Sequence, residues 1–222
     1  MPVESLSERK RTAILDAALQ EFEARGFRET SMDRVAATAN VSKRTVYNHF
    51  ATKSELFDAI AGKLIEHVQQ VSDYPYDAAT PLEPQLREIG AQIIDMLGSA
   101  SFLTLSRVTL VELIRSPALG RQTYELFRQR QTGLARWLEQ AACDGRLAID
   151  DPVWAADQFL GLIKSFAFWP QLLGGQAVPD AACRERILDT SVAMFLSACL
   201  PERRSRQAID DDRRQGSLEQ AR

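Results

Sequence analysis

The sequence has few of the residues from which metal centres, disulfide frameworks and many active sites are built. Its 222 residues include only three cysteines and two histidines. Cys143, Cys183 and Cys199 form no CxxC pair and are odd in number, so neither a disulfide framework nor a zinc site is expected. We therefore expect no metal and no cofactor, and thiols that act as small core residues in a reducing compartment.

Long uncharged apolar runs are also missing. Arg107 and Lys164 interrupt the most apolar stretches, and neither stretch reaches the roughly eighteen uncharged residues that a membrane span needs. The first residues, MPVESLSERKRT, are polar and lack the apolar segment of a secretory signal. These absences predict a cytoplasmic protein with no membrane partner.

Charge is distributed unevenly along the chain, although the net charge is only −3. Residues 1–53 hold nine Lys and Arg against seven Asp and Glu, whereas the remainder holds eighteen against twenty-three. The net charge is therefore +2 in the first part and −5 in the second. A surface that faces phosphate groups is expected in the N-terminal quarter.

Glycine is sparse, with 11 residues, and helical periodicity dominates without a convincing alternating strand. The pattern predicts an all-α protein of about nine helices. Ser72–Pro84 (SDYPYDAATPLEP), rich in proline and turn formers, is the clearest linker. We expect a DNA-binding domain at 7–53, a helical domain at 54–200 reached through a connecting helix at 52–71, and a disordered tail at 201–222. The predicted helices cover 7–25, 32–39, 42–50, 52–71, 83–98, 101–114, 117–143, 152–173 and 180–200.

Residues 31–50 (SMDRVAATANVSKRTVYNHF) predict two short helices separated by a tight turn. Helices of about eight residues are not stable alone in water, so a third helix must brace them. The first helix, with Ser7 as its expected N-cap, Gly26 after its end and an apolar stripe of Ile14, Ala18 and Phe22, supplies that brace. Three helices in this order predict a helix-turn-helix whose second short helix enters the DNA major groove.

The second short helix has two chemically distinct faces. Its apolar residues Val41, Val46 and Phe50 point towards the core, and Glu55 is the only acidic residue between Asp33 and Asp58. Exclusion of carboxylates is expected of a surface that meets phosphates. The outward residues are hydrogen-bonding groups and cations, namely Ser42, Lys43, Arg44, Thr45, Tyr47, Asn48 and His49.

These motifs resemble the DNA-binding domain of the tetracycline-repressor (TetR) family. The likeness covers residues 8–71 and rests on VSKRTVYNHFATKSELF and on the first-helix pattern ILDAALQEFEARGFRETSM. It implies a homodimeric, all-helical repressor that a small-molecule effector releases from DNA. Asn40 replaces the glycine that is usual in the family's turn, and asparagine is the next-best residue for a positive φ. Arg44 replaces a small residue, and its guanidinium suits either a guanine edge or a phosphate.

The resemblance implies roles for the remaining DNA-binding residues. Tyr47, His49 and Lys53 are expected to clamp the DNA backbone, together with Thr30 and Ser31 at the start of the second helix. Arg44, Thr45 and Asn48 are the candidates for base edges. The alternative is that Tyr47 and His49 only cover the edge of the core.

The two last long helices match the position of the family's dimer interface, and 150–175 resembles the C-terminal domain of one branch. Dimerisation also has a physical reason, because one short recognition helix contacts too few base pairs, so a palindromic operator is expected. The residues assigned to this interface are Phe159, Leu162, Ile163, Phe166, Ile187, Leu188, Val192, Phe195 and Leu196.

A pocket for a small apolar or aromatic effector is expected from the family. Large side chains on the middle helices suit its lining, although such residues are more often ordinary core. The residues assigned to the pocket are Phe102, Leu105, Arg107, Phe127, Trp137, Phe166 and Trp169.

Two other function classes remain as alternatives. An enzyme would need an unrecognised active site, because His49 and His67 have no nucleophile or carboxylate constellation and no phosphate-binding glycine pattern occurs. A redox-sensing regulator would use one of the three cysteines, but none has a clear cluster of cations beside it.

Overall fold

The structure is a computed structural model that describes residues 5–70, 74–130 and 133–201, and only the backbone at 69, 70, 127, 128 and 130. Within these residues the chain is helical and contains no strand, in agreement with the predicted all-α class. Residues 202–222 of the predicted tail lie outside this range. The eleven helices are α1 (Leu6–Arg25), α2 (Met32–Thr38), α3 (Lys43–His49), α4 (Lys53–Gln70), α5 (Leu82–Gly98), α6 (Ala100–Arg115), α7 (Pro117–Arg130), α8 (Gly133–Cys143), α9 (Pro152–Ala167), α10 (Trp169–Gly174) and α11 (Ala181–Cys199).

The first compact unit contains α1–α4 together with α6 and α7. Its hydrophobic core joins Ile14 and Phe22 of α1, Val35 of α2 and Val46 of α3. Leu105 and Val108 of α6 are buried in the same core, so α6 is packed with the DNA-binding helices. This grouping differs from the predicted boundary at residue 53, which places α6 in a separate domain.

The second unit contains α5 and α8–α11. Helices α5, α9 and α11 pack against each other, and α8 and α10 pack on α9. Phe159 and Phe195 meet edge to face here, with ring centroids 5.2 Å apart. The chain before α5 is held by Arg146, whose guanidinium donates to the carbonyl oxygens of Asp77, Ala78 and Thr80.

Side-chain N-caps begin most of the described helices. Ser42 and Asp151 are the N-caps of α3 and α9. The predicted cap of α1 is wrong, because Ser5 and not Ser7 begins that helix. Ser5 and Glu8 form a reciprocal capping box, whereas Ser7 has Lys10 at the position where the box needs Glu or Gln.

Two predicted helices are each divided in the structure. Residues 117–143 contain α7 and α8, with residues 131 and 132 outside the described range. Residues 152–173 contain α9 and α10, which meet at Phe168. Pro170 explains this break, because its ring clashes with the carbonyl group four residues earlier and it has no N–H to donate. That carbonyl, of Phe166, accepts a hydrogen bond from the Gln171 side chain at 3.3 Å.

None of the described helices is by itself long and apolar enough to cross a membrane. Helices α5 and α6 meet the criteria of length and hydropathy only when they are counted together across the break between them.

Candidate DNA-binding surface

The recognition helix α3 is oriented by its buried side. Val46 is fully buried, Phe50 is nearly so, and Val41 packs half-buried against the same core. The inward-facing set is therefore as predicted. Burial of this side leaves Arg44, Tyr47 and Asn48 exposed on the opposite side of the helix.

The turn before α3 has the backbone that the sequence predicts. Asn40 has a φ of +52°, in the left-handed region where asparagine is tolerated best after glycine. The amides of Asn40 and Val41 bond back to the carbonyls of Ala37 and Ala36, 3.1 and 3.0 Å away. The helix-turn-helix therefore closes without a glycine.

Two serines stand at the starts of the short helices. Ser31 Oγ accepts from the amide of Arg34 at 3.3 Å, and Ser42 Oγ accepts from the amide of Thr45 at 3.1 Å. The hydroxyls of Ser42 and Thr45 also bond to each other at 2.8 Å. Both serines are exposed, and hydroxyl groups and backbone amides at helix starts are common phosphate contacts.

Thr30 does not have the role predicted for its side chain. The residue is only 2% exposed. Its hydroxyl lies within hydrogen-bond distance of the carbonyl oxygens of Glu21 and Gly26, at 3.1 and 3.0 Å. A hydroxyl that donates inside the protein is not available to a phosphate. Thr30 therefore holds the end of α1 to the chain that leads into α2.

Lys53 is also engaged inside the protein, contrary to its predicted role as a backbone clamp. Its Nζ lies 2.7, 3.0 and 2.9 Å from the carbonyl oxygens of Phe27, Arg28 and Thr30. It also lies 4.6 Å from the centroid of the Phe27 ring. An ammonium group has three protons, and each of them has an acceptor here.

Among the cationic side chains of α3, Lys43 forms an ion pair within the described residues. Its Nζ lies 2.8 Å from a carboxylate oxygen of Asp33 on α2. This hydrogen bond raises the pKa of Lys43. Both side chains are well exposed, and an exposed pair of this kind contributes little to stability.

Asp33→Asn should therefore tighten DNA binding without weakening the fold. The substitution frees the Lys43 ammonium for phosphate and removes a carboxylate from the DNA-facing surface. We expect several-fold tighter binding at low salt with a salt slope close to that of the wild type, because a phosphate no longer competes with the Asp33 carboxylate for the same ammonium.

Asp16→Asn is the matched control for this prediction, since the Asp16 carboxylate is about as exposed as that of Asp33 and pairs with Lys63 between α1 and α4. It changes the net charge by the same amount at another place. Equal tightening by the two variants, measured by fluorescence anisotropy over a salt series, would show that only net charge matters.

Arg11 is an exposed cationic residue near the end of α3 that the predicted set omits. Its guanidinium carbon lies 5.1 Å from the ring centroid of Phe50, directly after the last residue of α3. Arg9 and Lys10 precede it in the exposed first turns of α1. The run of three cations is visible in the sequence, but only the tertiary structure shows that Arg11 lies beside the end of α3.

The predicted effector-binding residues divide between the two units. Phe102, Leu105 and Arg107 belong to the first unit, where Leu105 is part of the core around the recognition helix. Trp137 is fully buried in the second unit, with its Nε1 donating to Gln85 at 3.3 Å. The Phe127 side chain lies outside the described residues. Phe166 and Trp169 are exposed, at 61% and 42%.

A cavity of about 430 Å³ lies in the first unit beside the end of α1. Its lining is polar and mainly cationic, which differs from the aromatic lining that the sequence predicts. Arg25 and Arg115 within it are paired with Glu21 and Glu112. The lining residues are Arg25, Gly26, Arg28, Glu29 and Arg115.

Most residues predicted for the dimer interface are core residues of their own chain. They lie on α9 and α11, but on the sides by which these helices pack together in the second unit. A side chain without accessible surface has none to offer a partner, so the assignment is wrong for these six. They are Phe159, Ile163, Ile187, Leu188, Val192 and Phe195.

The remaining residues of that predicted set keep some surface. Leu162 and Leu196 are half-buried, and Phe166 is exposed.

The expectation of buried thiols is also wrong in part, since Cys143 and Cys183 are exposed and Cys199 is half-buried.

Comparison with known proteins identifies this arrangement. Residues 14–60 match the family model for bacterial regulatory proteins of the tetR family, and residues 84–199 match the C-terminal domain of AefR-like transcriptional repressors. The chain belongs to the TetR family of transcriptional regulators. It is therefore a DNA-binding regulator and not an enzyme, as predicted.

Relatives of the regulator share both its sequence and its fold. The crystal structure of a TetR family regulator from Pseudomonas syringae is 38% identical, with a TM-score of 0.75, and the match covers 88% of this chain and 100% of that one. The flavonoid-responsive regulator FrrA is 31% identical with a TM-score of 0.70, over 87% of this chain and 98% of its own. The uncharacterized regulator Rv1556 of Mycobacterium tuberculosis is 30% identical over 65% of this chain and 70% of its own.

Proposed function

We propose that the regulator is a repressor that binds a palindromic operator as a homodimer and leaves it when a small aromatic effector binds. The observation that carries this proposal is the exposed side of α3. Arg44, Tyr47 and Asn48 are exposed there, on a helix whose other side is packed in the core. A rigid helix with hydrogen-bonding groups and a cation on its free side suits the major groove.

The second unit provides a surface for dimerisation. Trp154 and Phe166 of α9 and Met194 of α11 are between 54% and 65% exposed. Large apolar side chains that stay in water on packed helices are typical of protein interfaces. Gly161 and Ser165, exposed on α9, are small enough to let a partner helix come close. These residues replace the buried set in the proposed interface.

An aromatic effector is supported by the relative FrrA, which is described as flavonoid-responsive. The effector would release DNA only if it binds the conformation that is not bound to the operator more tightly than the one that is. Helix α4 follows the recognition helix directly and packs against α6 and α7. A shift of these helices would therefore reach the DNA-binding surface through α4 and change the spacing of the two recognition helices.

Selection of duplexes from a random pool tests the DNA-binding part of the proposal. A two-fold dimer should recover an inverted repeat with half-sites about one helical turn, or a multiple of it, apart. Sedimentation should show a dimer at micromolar concentration. A single unrepeated half-site, or a monomer at that concentration, would contradict the homodimer.

The effector part is tested by screening flavonoids and simpler aromatic acids for thermal stabilisation of the free protein. A compound that binds only the folded state raises the midpoint of unfolding as its concentration rises. Each stabilising compound should also weaken binding to the selected duplex, whereas peroxide should not. If compounds stabilise the protein and leave DNA binding unchanged, they are not effectors, and release by peroxide would favour a cysteine-based switch.

A further inference from the structure

The chain between α1 and α2 is a short loop that presents several carbonyl groups to one point. Helix α1 ends at Arg25, the following Gly26 has a φ of +82°, and α2 begins after its N-cap Ser31. Between them, the carbonyl oxygens of Phe27, Arg28 and Thr30 converge on the Lys53 ammonium at 2.7–3.0 Å. These carbonyls have left the helical ladder, and the cation provides their hydrogen bonds.

We infer that Lys53 is a positioning residue for operator binding, which sets the start of α2 through this loop and does not itself contact DNA. Lys53 is the first residue of α4, and Thr52 caps that helix by accepting from the Glu55 amide at 3.1 Å. Thr30, whose carbonyl it holds, directly precedes Ser31. The ammonium therefore joins the start of α4 to the residue before the N-cap of α2.

Other contacts hold the same loop beside the Lys53 ammonium. The hydroxyl of Thr30 faces the carbonyls of Glu21 in α1 and of Gly26 after it, while the Thr30 carbonyl accepts from Lys53. The Lys53 charge also lies over the Phe27 ring, which packs edge to face with Phe22 and Phe57. The ends of α1, α2 and α4 are thus tied together within a few residues.

A direct phosphate contact would require this arrangement to break. The carbonyls of Phe27 and Thr30 are partly buried where they meet Lys53, and buried carbonyls without a hydrogen bond are unfavourable. Lys43 provides the contrast, because its ammonium is exposed and has one exposed carboxylate as its partner. The two lysines should therefore respond differently when each is replaced by methionine, which keeps an apolar stem and removes the charge.

The inference rests on the DNA-binding function and is tested with the duplex that the wild-type protein selects from the random pool. Affinity is measured from about 50 to 300 mM salt, a range over which each lost phosphate contact changes the slope of log Kd against log salt by about 0.9. We expect Lys53→Met to weaken binding at least tenfold with the wild-type slope. Lys43→Met should lower the slope by about that amount for each protomer.

Hydrogen exchange of the DNA-free protein provides a second measurement that is independent of DNA. In Lys53→Met the amides of residues 27–35 should exchange faster, while those of α9 and α11 should keep their wild-type rates. Lys53→Arg, which keeps the charge and donors, should recover part of the affinity and of the protection. It also serves as the test variant if the methionine protein does not fold.

Three results would overturn the inference. A lower salt slope with wild-type exchange in residues 27–35 would make Lys53 a phosphate contact, and unchanged affinity would leave it no role in operator binding. Unchanged exchange in residues 27–35 would show that the loop does not depend on the ammonium. The hydrogen-exchange result does not depend on DNA and can be interpreted even if the wild-type protein selects no duplex. Failure to select a duplex would contradict the proposed operator, not the role of Lys53 in the loop.

Discussion

Arg44→Ala is expected to weaken binding to the selected operator by about 30-fold to 10⁴-fold. Arg44 is the second residue of α3, is exposed, and has no ion pair or hydrogen bond within the described residues. The N-terminal part of a recognition helix is the part that reaches base edges. A bidentate contact between arginine and guanine contributes about 1–3 kcal/mol to discrimination, and a dimer makes it twice.

The pattern of the loss separates a base contact from a phosphate contact. If Arg44 reads a base, Arg44→Ala should lose preference at one symmetric pair of positions and keep it elsewhere. If it contacts a phosphate, binding should weaken equally on all sequences and the salt slope should fall by about 0.9 per protomer. Repeating the selection with the variant, and measuring its Kd on singly substituted operators, distinguishes these results.

Arg121→Ala is a suitable control, because Arg121 is exposed on α7 of the same unit. It removes the same charge away from the recognition helix. An equal loss of affinity in both variants would indicate a non-specific effect of charge, and unchanged binding by Arg44→Ala would remove Arg44 from the interface.

Phe159→Ala is expected to destabilise the protein by about 3–5 kcal/mol, the range for removing a buried aromatic ring. Phe159 has no exposed surface and packs on Phe195 in the core of the second unit. The loss combines the transfer of the ring from water with the cavity that the ring leaves. Urea denaturation followed by circular dichroism measures it directly.

Phe166→Ala, on the same helix, is expected to act on assembly. Phe166 is 61% exposed, so within one chain its truncation should change stability by only about 0.5 kcal/mol or less. If it lies in the proposed dimer interface, sedimentation should show a higher dissociation constant for the dimer. The apparent loss of stability should then depend on protein concentration.

Comparison of the two variants thus distinguishes a core residue from an interface residue. A concentration-independent loss of similar size from both would place Phe166 in the core of its own chain. A Phe166→Ala dimer as tight as that of the wild type would move the proposed interface elsewhere.

Features with short-range causes could be predicted from the sequence. The N-cap at Ser42 and the positive φ of Asn40 each depend on residues within about four positions. The inward and outward sides of α3 follow from helical periodicity in the same way. The break at Phe168 also had a local signal, Pro170, although the long apolar run predicted one continuous helix.

Roles with long-range causes were the ones that the sequence did not reveal. Lys53 meets the carbonyl of Phe27 from 26 positions away, and Thr30 bonds the carbonyl of Glu21 across nine. Their predicted phosphate contacts came from the resemblance to the TetR family. Only the tertiary structure shows that these polar groups have partners within the protein.

An all-helical protein with a braced helix-turn-helix and a recognition helix free of carboxylates can be recognised from the sequence. Those properties follow from periodicity, caps and residue type, all of which are read along one helix. That Phe159 is buried while Phe166 is exposed, and that α6 shares the core of the DNA-binding helices, is visible only in the folded chain. The physical reason is that an apolar stripe shows which side of a helix avoids water, but not which neighbour, within the chain or outside it, covers that side.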